Sequence, residues 1–189
     1  MTVVDHYGDN EQLLAESFAL CTDAILPRGK TISEGDPTQT AVVDYAAKLG
    51  LPKYDLEAKA PRVGEIPFDS GRKMMTTVHK TGDGYIQHTT GAPDVVISRC
   101  THILADGKVI PLTDDLRVEL AEANKRFADR ALRVLAAAFQ AVKADKGQFT
   151  VFLIAVGFAQ LFSRGRNIQN IIYNLEHQTN AVGVFFNEG

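Results

Sequence analysis

Apolar residues recur at helical spacing through Leu14, Phe18, Cys21 and Ile25, and Asn10 stands where a helix running to about Ala24 needs a cap. Cys21 falls on that apolar face, which makes it a core residue rather than a reactive thiol. Pro27 and Gly29 break the pattern and open a loop. A second helical stripe follows, made of Ala41, Val42, Tyr45, Ala46 and Leu49. Asp36 is its expected N-cap and Pro37 suits its first position. Gln39 is placed to reach back to the Asp36 N–H, as in a capping box. Gly50 and Pro52 stop the helix.

From Arg62 to Thr90 the period falls to two. Val63 to Phe68 reads as a strand, Asp69-Ser70-Gly71 as a turn, and Lys73 to Lys80 as a second strand. Thr81-Gly82-Asp83-Gly84 makes a tight turn into a third strand, Tyr85 to Thr90. Ala92-Pro93-Asp94 opens a short helix ending near Cys100. A hairpin from His102 to Pro111 turns at Ala105-Asp106-Gly107. Thr113 caps a long helix whose first turn holds Asp114 and Asp115, suited to the positive end of the helix dipole. Leu116, Leu120, Ala123 and Phe127 form its buried stripe. Leu132 to Val142 fits either a continuing helix or a buried strand. Beyond it the pattern predicts a strand at Thr150 to Val156, a helix at Asn167 to His177 and a strand at Ala181 to Phe186. The expected fold class is α+β, an antiparallel sheet flanked by helices.

Composition narrows the function. The chain has 189 residues, 45% hydrophobic and 23% charged, with 15 glycines and 7 prolines, the balance of a folded domain. A net charge of −3 argues against bulk binding to nucleic acid. The two cysteines, Cys21 and Cys100, exclude a disulfide framework and a cysteine-rich zinc site, and reduced thiols are expected. The N-terminus lacks the basic start and apolar core of a signal peptide. The greasiest run, Phe149 to Phe162, is about 14 residues long, short of the roughly 20 a spanning helix needs, so no direct membrane insertion is expected.

No Walker-type GxxxxGK[ST], dinucleotide GxGxxG, HExxH or GxSxG motif occurs, and the five histidines show no metal-ligand spacing. Ser70-Gly71-Arg72-Lys73 fits SxxK and Lys80-Thr81-Gly82 fits KTG, which opens a reading as a serine hydrolase with Ser70 as nucleophile and Lys73 as base. Two features weigh against it. That chemistry needs SxxK at a helix start, whereas this segment alternates like a strand, and no Ser-Asp-Asn element follows.

Several segments, in order and at matching spacing, resemble the nucleotide-binding domain of P-type cation-transporting ATPases, particularly the calcium-pump-like branch. They are Gly35-Asp36-Pro37-Thr38-Gln39-Thr40-Ala41, Pro67-Phe68-Asp69-Ser70-Gly71-Arg72-Lys73-Met74-Met75, Thr90-Gly91-Ala92-Pro93-Asp94 and Ala131-Leu132-Arg133-Val134-Leu135-Ala136, with support from Leu20-Cys21-Thr22-Asp23-Ala24. The resemblance implies a nucleotide-binding domain over residues 1–145. Residues 146–189 are then a divergent tail, read as a remnant of the phosphorylation domain or hinge region. It implies ATP as ligand, with Mg2+ carried by the nucleotide, and no catalytic or metal-ligating residue in this chain. The partners it implies are the phosphorylation and membrane domains of a pump, and the location is the cytoplasm or the cytoplasmic face of a membrane.

The resemblance assigns Phe68 to stacking on adenine, Lys73 and Arg133 to ribose or phosphate, and Gly91 to a close backbone approach. A flat aromatic face suits a purine, and a lysine suits phosphate. A core Phe, a solvated strand lysine, a simple turn glycine and a surface arginine are the alternatives. Gln39 falls where the family has an adenine-contacting glutamate, and its amide offers both donor and acceptor to a base edge. The capping box competes for the same side chain. Thr90 replaces the family's usual lysine, and Ala131 a usual glycine. The loss of a phosphate-facing charge at Thr90 predicts weaker ATP binding. A degenerate interaction module with little or no ATP binding is therefore a second expectation. His79-Lys80-Thr81-Gly82 imitates the family's phosphorylated Asp-Lys-Thr-Gly string, but histidine replaces the nucleophile, so the chain alone is not expected to turn over ATP.

Overall fold

The computed structural model describes residues 1–82, 84–130, 132–143, 153–162 and 185–186. The helix expected at Asn167 to His177 lies outside the described residues, as do Asp83 and Ala131. The elements in chain order are β1 (Thr2–Tyr7), α1 (Glu11–Leu20), α2 (Pro37–Lys48), α3 (Lys53–Lys59), β2 (Arg62–Asp69), β3 (Met74–Thr81), β4 (Gly84–Gly91), α4 (Pro93–Ser98), β5 (His102–Ala105), β6 (Lys108–Pro111), α5 (Asp114–Ala128), β7 (Arg133–Lys143), β8 (Leu153–Phe162) and β9 (Phe185–Phe186). The class is α+β, as the patterning predicts.

Seven strands form one sheet in the order β1-β8-β7-β4-β3-β2, with β9 on β8, and every pairing is antiparallel. β5 and β6 pair separately as the expected hairpin. β8 and β9 lie beyond residue 145, the expected end of the domain, and both pair into this same sheet. No described helix is long and apolar enough to cross a membrane.

The helix caps follow the sequence. Asn10 accepts from the Leu13 N–H, Asp36 from Thr38 and Gln39, and Thr113 from Leu116. α1 ends at Leu20 rather than near Ala24, and Cys21 caps it. Ile25 accordingly leaves the apolar face and lies 63% exposed.

Leu132 to Val142 resolves as a strand, for a reason that lies in the layers around it. Ala136 and Ala138 pack with Val96, Cys100 and Leu120 of the α4 and α5 side. Ala137, on the opposite face, packs with Leu14, Phe18, Ala41 and Val42 of α1 and α2. A strand covered by helices on both faces shows no polar alternation and reads like a helix. Its alanines leave room for the helices on either side.

Candidate functional site

A cavity of about 470 Å³ opens where the β2–β3 turn, the end of β4, the start of β7 and the start of α2 meet. Its walls include Phe68, Lys73, Gly91, Gln39, Arg133 and Thr90, every residue the sequence nominates. Its size falls within the roughly 300–1,000 Å³ usual for small-molecule sites.

Phe68 sits on β2, an edge of the sheet, and is 58% exposed. The alternative of a buried core ring is thus excluded. Phe68, with Ile66 and Val63, leaves apolar surface on this strand open to a ligand or partner.

Lys73 closes the β2–β3 turn. Its N–H donates to the Asp69 carbonyl (2.7 Å), and the Asp69 carboxylate accepts from the Arg72 N–H (2.7 Å). Lys73 adopts φ +56°, a left-handed conformation costly for a side chain with a Cβ. The expected strand starts one residue later, at Met74. The same turn holds Ser70, so SxxK lies in a hairpin and not at a helix start, and the hydrolase geometry is absent. Among the described residues Lys73 forms no ion pair, which leaves its ammonium available to an anion.

Gly91 pairs with Met74 across the ladder. A Cβ at Gly91 would stand 2.4 Å from the Lys73 carbonyl oxygen and 2.6 Å from the Met74 Cβ. The Ala92 N–H also donates to that Lys73 carbonyl (3.0 Å). The close approach made possible by the missing side chain is therefore to the Lys73 turn itself. Gly91 lets β4 press against the segment that carries the lysine.

Arg133 begins β7, and its guanidinium donates to the Thr38 hydroxyl (2.8 Å). That partner is neutral, and among the described residues Arg133 forms no ion pair. Asp36 also lines the cavity, but its carboxylate caps α2, so the first N–H groups of that helix are already satisfied.

Two nominated side chains do something other than the sequence predicts. Thr90 is buried, and its hydroxyl donates to the Cys21 carbonyl (3.2 Å). With its proton engaged there, the hydroxyl has no donor left for a phosphate. Gln39 does not form the capping box. Its Oε1 accepts from the Asp23 N–H (2.9 Å) and the Ala24 N–H (3.1 Å).

Sequence reading missed the residues that hold this Cys21–Ala24 loop. Lys53, almost fully buried, donates to the carbonyls of Thr22 (2.7 Å) and Ala24 (2.8 Å) and to the Thr22 hydroxyl (3.2 Å). Burial pushes its pKa below the usual lysine range. Arg62 donates to the carbonyls of Leu20 and Thr22. A lysine one position after Pro52 carries no motif that would announce this role. The Cys21 thiol bonds to the carbonyls of Met75 (3.4 Å) and His88 (3.3 Å), and burial raises its pKa. It is a core thiol, as the helical stripe predicts. Among the described residues no cluster of three or more His, Cys, Asp or Glu could hold a metal ion.

The model of the family described as P-type ATPase, cytoplasmic domain N matches residues 10–184. The chain belongs to this family. Calcium-transporting ATPase 1 of Lactococcus lactis is 32% identical over 97% of this chain and 24% of its own length. A calcium-transporting ATPase of Listeria monocytogenes is 35% identical over 77% of the chain and 18% of its own length. Calcium-transporting ATPase 1 of Bacillus cereus is 38% identical over 74% and 17%. The chain thus spans about a quarter or less of the length of these relatives, and they support the reading of it as an N domain fragment.

Proposed function

We propose that this N domain binds ATP in the 470 Å³ cavity, with adenine stacked on Phe68 and the phosphates directed out past Lys73 and Arg133. The observation that carries the reading is an aromatic ring, 58% exposed, at a cavity whose cations have no carboxylate partner among the described residues. Stacking on such a ring contributes roughly 1–3 kcal/mol, and the basic groups add attraction for phosphate. Mg2+ arrives with the nucleotide's phosphates.

In a complete pump the domain delivers the γ-phosphoryl group to an aspartate in a separate phosphorylation domain by hinge closure at the cytoplasmic face of the membrane. The chain's own residues bind and orient the nucleotide, while the nucleophile belongs to the partner domain. The relatives named as calcium-transporting make a cation the cargo of that assembly.

Amide NMR titration with Mg·ATP tests the reading. Saturable shifts are expected around Phe68, Lys73 and Gly91. Phe68→Ala weakens binding by about 5- to 150-fold, the loss of roughly 1–3 kcal/mol. Because Phe68 is largely exposed, the variant keeps its fold. ATP affinity unchanged by Phe68→Ala refutes the site. A second reading, a domain that keeps the fold but binds ATP weakly, draws on Thr90, whose hydroxyl is engaged with Cys21 and lends nothing to a phosphate. Absence of saturable shifts in the same titration favours it.

A further inference from the structure

Gln39 lines the cavity with an amide whose orientation the fold has already decided. Two backbone N–H groups, of Asp23 and Ala24, converge on its Oε1 at 2.9 and 3.1 Å. An Nε2 in that place would set donor against donor, so the amide has one orientation. The Asp23–Ala24 segment cannot yield easily. Lys53 holds the carbonyls of Thr22 and Ala24, Arg62 holds those of Leu20 and Thr22, and Thr90 holds that of Cys21. The Nε2 amino group donates no hydrogen bond among the described residues. What Gln39 can offer a ligand is therefore a donor, and its acceptor capacity is largely taken up by the backbone.

A purine carries both kinds of group on its edges. Its ring nitrogens are acceptors, and the 6-amino group of adenine is a donor. A donating amide is matched to the first and mismatched to the second.

We propose that Gln39 sets the base specificity of this cavity by donating to a ring nitrogen of the purine, so that the 6-amino group of adenine goes unread. This rests on the ATP reading above and narrows it. The cavity accepts purine nucleoside triphosphates with or without that amino group about equally, whereas a wall presenting an acceptor would favour the one that carries it. A glutamate at position 39 would keep the two backbone bonds through one oxygen and present the other as an acceptor, so Gln39→Glu reverses the polarity without removing the anchor.

The test compares ATP with purine riboside triphosphate, the same molecule lacking the 6-amino group, by calorimetry on the full chain. Wild type is expected to bind the two within about two-fold. Gln39→Glu is expected to favour ATP by about 3- to 10-fold, the increment of one added hydrogen bond. A wild-type preference for ATP of several-fold overturns the proposal without touching the ATP site. So does an ATP preference that Gln39→Glu leaves unchanged. If neither nucleotide binds wild type, or neither moves the Phe68 resonances, the ATP reading itself fails and this proposal falls with it.

Discussion

Lys73 offers a place where stability and binding are expected to move in opposite directions. It is solvent-exposed and sits at φ +56°, so its side chain gains little from packing while its backbone is strained. The left-handed conformation costs a residue with a Cβ about 1–2 kcal/mol, and glycine pays none of it. Glycine also loses more chain entropy on folding, about 0.5–1 kcal/mol. Lys73→Gly is thus expected to stabilise the domain by about 0.5–1 kcal/mol, while Lys73→Ala keeps the strain and is close to neutral. With a urea slope of about 2 kcal/mol/M, the glycine variant's midpoint rises by roughly 0.3–0.5 M. Both variants remove the ammonium beside the cavity, so both weaken ATP binding, by about 5-fold or more for a charge-assisted contact. Urea denaturation and calorimetric titration of wild type and the two variants provide the readouts. A glycine variant less stable than the alanine variant would falsify the strain argument. ATP affinity retained in both variants refutes the role of the charge.

Gly91→Ala drives a methyl group to 2.4 Å from the Lys73 carbonyl, which is backbone and cannot rotate away. A loss of about 1–3 kcal/mol in denaturation, with weaker ATP binding as the Lys73 turn shifts, is expected. A variant as stable as wild type shows that β4 does not need this approach. His88 is fully buried against His79, with ring centroids 5.6 Å apart, and its Nε2 has no hydrogen-bond partner among the described residues. Burial, with repulsion from His79, lowers its pKa to about 3, and burial lowers that of His79 as well. The folded state then binds fewer protons than the unfolded one. Stability is complete above about pH 6.5 and falls as the pH drops toward 3, by on the order of 3 kcal/mol at pH 4 from His88 alone. Urea midpoints at pH 7 and pH 4 measure it. His88→Phe is expected to flatten the slope, and an equal slope in wild type and variant counts against the histidine as its source.

What the sequence determined by itself is local. Asn10, Asp36 and Thr113 cap the helices they announce, because a cap and its N–H partners lie within a few residues of each other. The β2–β3–β4 meander was legible from its period of two and its turns, and the ordered motifs placed Phe68, Lys73 and Gly91 beside one another along it. The tertiary structure decided what depends on distant partners. β1 was not legible as a strand, because its partner β8 lies near the other end of the sequence. α3, a single short helix after Pro52, has too few residues to show a stripe, yet it delivers Lys53 to the loop under the cavity. β7 is a strand rather than more helix because neighbours β4 and β8 complete its hydrogen bonds while helices cover both its faces. The spacing of Gln39 from Asp36 predicts a local cap, but two N–H groups from residues 15 and 16 positions earlier hold its oxygen instead. Residue type could nominate the walls of the cavity. Which atom each side chain turns toward it was set by hydrogen-bond partners that only folding brings into reach.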